Sequence, residues 1–175
     1  MKRVKRVLAL LAAFALVLAM AVPAWADGNT GSITVQGAVD GEIYSIYKIF
    51  DVTGYDTMTT PHKITYKVTD GWASFFAKGN PGATYVTLDS KKQISATTLD
   101  STNAPAFAAA AITWAKDSAH NIKVTDSKTA NKDGVTFTNV ADGYYLVDTS
   151  LGALCSLDNV TGNTAKISEK NKVPS

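Results

Sequence analysis

The sequence predicts a mainly β domain, two packed sheets with one or two inserted helices. Three observations carry this. Short runs of β-branched and aromatic residues alternate with polar ones at Ser32–Gln36, Lys63–Thr69 and Val135–Val140, the pattern of half-buried strands. Glu42–Val52 (EIYSIYKIFDV) is apolar on both faces, which suits a central strand covered on each side. A single long stretch, Ala104–Ala119, combines high helix propensity with an apolar stripe.

A secretory leader precedes these elements. Met1–Arg6 (MKRVKR) is basic, Val7–Val22 is almost wholly apolar, and Ala24-Trp25-Ala26 offers a small-x-small cleavage site before Asp27. The apolar run is near the lower limit for a membrane span and ends in Pro23. Residues 1–26 therefore read as a cleaved signal peptide, and membrane contact is expected only through it. Its loss removes four of the seventeen basic residues and none of the fifteen acidic ones, leaving a net charge of −2 and no arginine. Without the guanidinium fork used on phosphate and guanine, nucleic-acid binding is not expected. The remaining chain is the size of one domain, placed at 27–169. The one cysteine, Cys155, rules out an intrachain disulfide and reads as a small buried apolar residue in ALCSL.

Taken in order, Ser32–Gln36 (SITVQ) is a first strand with Ile33 and Val35 on one face. In the strong strand Glu42–Val52, Ile43, Tyr47 and Ile49 share one face, and Tyr44, Ile46, Phe50 and Val52 the other. Lys48 falls on that second face. A buried lysine needs a charge partner, a shifted pKa or a covalent fate, and the favoured reading is that its stem packs while the ammonium reaches out at a sheet edge. Thr53–His62 reads as loop and Lys63–Thr69 as a strand with Ile64, Tyr66 and Val68 inward. Asp70 is placed to cap a short helix over Trp72–Ala77, Gly79-Asn80-Pro81-Gly82 is a turn, and Thr84–Leu88 a short strand. Asn103 and Pro105 open the main helix, whose apolar face holds Phe107, Ala111, Trp114 and Ala115, and His120-Asn121 end it.

Ile122–Thr125 is expected to be a brief strand. Asp133–Thr149 (DGVTFTNVADGYYLVDT) then reads as a β-hairpin turning at Asp142-Gly143. Leu151–Leu157 is a further strand, Asp158–Asn163 a turn and Thr164–Glu169 a last strand. Lys170–Ser175 (KNKVPS) has no apolar periodicity and reads as a linker, 170–175, toward a further module.

The sequence is poor in catalytic signals. His62 and His120 lie in loop or helix-end settings without paired carboxylates, and no His/Cys cluster suits zinc. It shows no glycine-rich phosphate loop, no G-x-S-x-G elbow and no calcium loop. Asp51 and Asp56 read as surface carboxylates, and Asn159-Val160-Thr161 matches a glycosylation sequon. No enzyme activity and no cofactor are expected.

One series of segments carries a resemblance. DGVTFTNV (Asp133–Val140) followed by DGYYLVDT (Asp142–Thr149) is similar to the closing hairpin of Cna protein B-type β-sandwich modules. Together with the leader, GSITV, the strand YKIFD (Tyr47–Asp51), the inserted helices and SLGALCSLD (Ser150–Asp158), the chain resembles the N-terminal domain of Gram-positive, sortase-assembled fimbrial (pilin) subunits over Ser32–Lys172. The resemblance implies an immunoglobulin-like sandwich, a place on the cell surface or cell wall, and partners that are other pilin subunits joined by sortase, with a host surface protein or glycan as a further partner.

The resemblance also implies two lysine chemistries. The first is an internal isopeptide bond formed with help from a buried acid, for which Asp148 sits in the family's Y-x-L-x-E-T pattern with aspartate for glutamate. The usual first-strand lysine is missing from SITVQ, so Lys48 stands in as donor, with Asn159 or Asn163 as acceptor. With the donor displaced, the expectation is that no bond forms. The second is polymerisation through a lysine near the end of the domain. No Tyr-Pro-Lys-like motif is present, and Lys170 and Lys172 are the candidates by position. The alternatives are a secreted adhesin or carbohydrate-binding module, which would display an exposed aromatic platform from Tyr55, Trp72 or Tyr85, and an exported hydrolase or inhibitor.

Overall fold

A computed structural model describes residues 30–56, 58 and 63–149, and the backbone of three later strands. The elements are β1 (Thr30–Gln36), β2 (Ile43–Asp56), β3 (Lys63–Val68), β4 (Val86–Leu88), β5 (Ile94–Thr97), α1 (Ala104–Lys116), β6 (Asp126–Thr129), β7 (Val135–Ala141), β8 (Gly143–Thr149), β9 (Gly152–Leu154), β10 (Asp158–Asn159) and β11 (Thr164–Ser168). The leader 1–26, Cys155 and the 170–175 linker lie outside the described residues.

The fold is mainly β and sandwich-like. One sheet has the order β11-β1-β7. The larger has β10-β8-β2-β3, with β6 also on β2 and β9 on β8, while β4 and β5 form a separate ribbon. The alternation in β1 and β7 sends Ile33, Val35, Val135 and Phe137 into a core shared with Tyr44, Ile46, Tyr145 and Val147 of the larger sheet. The other face of that sheet presents Tyr47, Ile49, Tyr144 and Leu146 to a second core. Trp72, Phe75 and Phe76 cover it, with Phe107 and Ala111 of α1. β2 and β8 are therefore apolar on both faces because each face has its own cover. Edge-to-face contacts such as Phe75–Phe107 (6.0 Å) and Tyr85–Phe107 (5.4 Å) lock α1 into this layer.

Several expectations are corrected. β7 and β8 do not form a hairpin: β7 pairs with β1 and β8 with β2, so the chain crosses between sheets at Asp142. A hairpin would have set both strands in one sheet, whereas this crossing lets Phe137 and Tyr145 meet in the core between the sheets. Two bulges also shift faces. The pairing of β2 steps from Lys48↔Tyr145 to Phe50↔Tyr144 across Ile49, which turns Phe50 into the helix-covered core with Tyr47 rather than leaving it beside Ile46. In β7, Asn139 takes a left-handed conformation (φ 57°) and brings Val140 inward.

Other boundaries move as well. β2 continues to Asp56 through the expected loop, and β6 at Asp126–Thr129 replaces the strand expected at Ile122–Thr125. β5 lies where no strand is expected, and the expected turn at Asp158–Asn163 begins with β10, which pairs with β8. The helix expected at Trp72–Ala77 is a 3-10 helix over Asp70–Phe76, entered from Thr69 rather than capped by Asp70. α1 ends at Lys116, followed by a 3-10 turn over Ser118–His120. Asn103 stands at the cap position, but its side chain is used elsewhere: it accepts from Asp100 N (2.9 Å) and donates to Thr98 O (2.9 Å).

Candidate functional site

The bulge in β2 places Lys48. β6 covers this edge of β2 at Ile43–Ile46 and β3 covers it at Phe50–Asp56, leaving a gap between them. Thr69 closes the gap by donating its hydroxyl to the Lys48 carbonyl (3.1 Å) and its amide to the Ile49 carbonyl (3.0 Å). Thr125 accepts from the Lys48 amide (2.9 Å). The backbone is thus satisfied through the irregularity.

The Lys48 side chain follows Tyr44 and Ile46 on the face toward the inter-sheet core and runs across Gly143. Its Nζ lies 2.6 Å from Asp51 Oδ1 and 6.0 Å from the Tyr145 ring centre. Only hydrogen at Gly143 permits this path, because a Cβ there would overlap Lys48 Cε and come within 2.5 Å of the Phe50 carbonyl. The whole side chain is about one-fifth exposed, and its charge is met by Asp51 on the interior strand β2 rather than reaching out at a sheet edge. Burial, then Asp51 and Asp142, raise the Tyr145 phenol well above its ordinary value, and its hydroxyl donates to Ala141 O at 2.6 Å.

Asp148 is on the opposite face of the same sheet. It lies across from Ser45, in line with Tyr144 and Leu146, and accepts from Lys116 Nζ of α1 at 3.0 Å. Burial, then the Asp148 carboxylate, raise the Tyr47 phenol. The structure therefore does not bring Lys48 and Asp148 together: the lysine pairs with Asp51 and the acid with Lys116. Asn159 lies in β10, where its backbone pairs with Gly143, the residue that Lys48 crosses. Asn163, Lys170 and Lys172 lie outside the described residues.

Asp51, Gly143 and Lys116 were not singled out for these roles by the sequence. The Lys-x-x-Asp spacing in β2 and the glycine opening β8 were visible, but which face each would occupy depended on the bulge at Ile49.

Of the three aromatics expected for a platform, none is fully exposed, and Tyr55 is half-buried in β2. Trp72 is buried in the helix-covered core and Tyr85 packs on Phe107. His120 stacks on Trp114 (ring centres 3.4 Å apart, planes at 6°), with its Nε2 3.6 Å from Asp117 Oδ2. These three line an open depression of about 530 Å³ with Thr113 and Pro81. The Thr113 hydroxyl donates to Ala109 O and Asp117 Oδ1 accepts from Ala119 N, so both are engaged locally. His62 lies outside the described residues. Among the described residues no group of three or more His, Cys, Asp or Glu side chains could hold a metal, and no helix is long and apolar enough to cross a membrane.

The two ends of the domain are arranged by the smaller sheet. β1 and β11 are parallel neighbours in register from Ser32↔Thr164 to Gln36↔Ser168. The chain comes into β1 at one pole of the sheet and leaves β11 at the other. No protein-family model matches this chain, and no curated protein matches it.

Proposed function

We propose that this chain is a non-catalytic structural and adhesive module of a cell-surface fimbria, an immunoglobulin-like domain exported by its leader and linked to other subunits by sortase. The observation that carries the reading is the parallel pairing of β1 with β11. A module whose two chain ends leave from opposite poles extends a filament by its own length, whereas one with both ends at a single pole would hang from the side. The resemblance set out above supports the same role, and the separation of Lys48 from Asp148, each held in an ion pair of its own, agrees with a domain held by packing.

The test is immunogold labelling of intact producing cells with antibody against residues 27–175. Gold in rows along filaments is expected; gold spread evenly over the cell body would refute the reading.

A glycan-binding role draws on one feature, the depression beside stacked Trp114 and His120 with the Asp117 carboxylate at its rim. A glycan array tests it. Retained glycans whose binding is lost in Asp117→Ala would favour that role, and a blank array would dismiss it.

A further inference from the structure

We propose that the β1–β11 ladder is the mechanical clamp of this domain, the set of bonds that must break together before tension along the chain can unfold it. The inference deepens the fimbrial reading and rests on it for its biological setting, although the mechanics belong to the isolated domain.

In a parallel pair both strands run the same way, so pulling β1 back through its N-terminal end and β11 forward through its C-terminal end slides one past the other. The hydrogen bonds along the paired stretch, Ser32↔Thr164 to Gln36↔Ser168, are then loaded at once. Peeling the same strands apart from one end would load those bonds in succession, and forced unfolding follows the barrier for the first irreversible step. Bonds loaded together raise that barrier; bonds loaded singly do not.

Two further features anchor the ladder. The Thr136 carbonyl of β7 turns outward to Lys128 Nζ (2.9 Å), so Thr136 and its partner Thr34 are a non-hydrogen-bonded pair. Thr34, which lies between β7 and β11, therefore turns its own amide and carbonyl toward β11. Beneath the ladder, Ile33, Val35 and Ala165 are buried in the inter-sheet core, so sliding also drags apolar side chains out of their contacts. β1 is held on its other side by β7 from Thr30↔Ala141 to Val35↔Val135, which keeps it in the body of the domain while β11 is drawn away.

The experiment is single-molecule pulling on one folded domain in two geometries, with cysteine handles introduced in a Cys155→Ala background. Handles at Thr30→Cys and Ser168→Cys load the ladder in shear; handles at Gln36→Cys and Ser168→Cys peel the same ladder from its paired end. The clamp predicts a rupture force severalfold higher in shear than in peel at equal loading rate. Equal forces, or a lower force in shear, would overturn it. This outcome is separable from the parent reading: the force curve judges the clamp, and filaments on cells judge the fimbria.

Discussion

At Gly143 an added methyl group meets the Lys48 side chain on one side and the Phe50 carbonyl on the other. The lysine can move, but the carbonyl belongs to the bulged backbone of β2 and cannot. Gly143→Ala is therefore expected to destabilise the domain by about 1–3 kcal/mol in urea unfolding, and Lys48→Ala in the same chain should recover only part of that loss. A second residue-scale effect is the alkaline limit. Tyr145 is almost wholly buried and its phenol is raised above the ordinary value of about 10. The folded state holds this proton more tightly than the unfolded chain. Its contribution is therefore intact below pH ~10 and is lost above it, at about 1.4 kcal/mol per pH unit. Unfolding free energies of the parent and Tyr145→Phe, measured from pH 9 to 11.5, should diverge in slope, with the shallower slope in the variant; parallel curves would contradict the burial of that hydroxyl.

The strands show what a single sequence reveals and what it conceals. β1, β3, β7 and β8 were legible because alternation of β-branched and aromatic residues reports burial on one or both faces. Pairing was not legible. Asp142-Gly143 carries turn chemistry whether the chain returns along the same sheet or crosses to another, and only the long-range pairing, β7 with β1 and β8 with β2, distinguishes them. β5 and β6 (ISAT and DSKT) were missed because they are short and mostly exposed or polar, held by neighbours rather than by their own pattern. The bulges at Ile49 and Asn139 leave no local signal, so the face of Phe50 is not readable from alternation, and the separation of Lys48 from Asp148 follows from the register of β2 on β8, which pairs Asp148 with Ser45 and Lys48 with Tyr145. The edge of β7 carries its own prediction. Lys128 from β6 reaches over Phe137 (5.6 Å to the ring centre) and occupies the outward carbonyl of Thr136. Charge placed this way keeps a strand edge from pairing with another chain. Lys128→Ala should increase self-association in sedimentation velocity while changing monomer stability by less than about 1 kcal/mol.

At the scale of the whole molecule, two cores share one sheet, and the chain leaves from the pole opposite the one where it comes in. Lys48 is held by Asp51, and the carboxylate expected to activate it is held by Lys116 on the other face. An ammonium paired with a carboxylate is a poor nucleophile until it loses its proton, and the acid expected to activate an amide, Asp148, is on the other face of the sheet. The intact mass of the 27–175 domain should therefore equal its sequence mass; a deficit of one ammonia or one water would show that an internal bond had formed. Stability on this account comes from packing, from the helix-covered aromatic layer and from the β1–β11 ladder.

The fimbrial role is tested most directly on the producing organism. Its surface fraction, boiled in SDS and probed with antibody against residues 27–175, should give a ladder of high-mass species, since subunits joined by covalent bonds survive both heat and detergent. A single band of the domain's own size, released into the medium, would contradict the account.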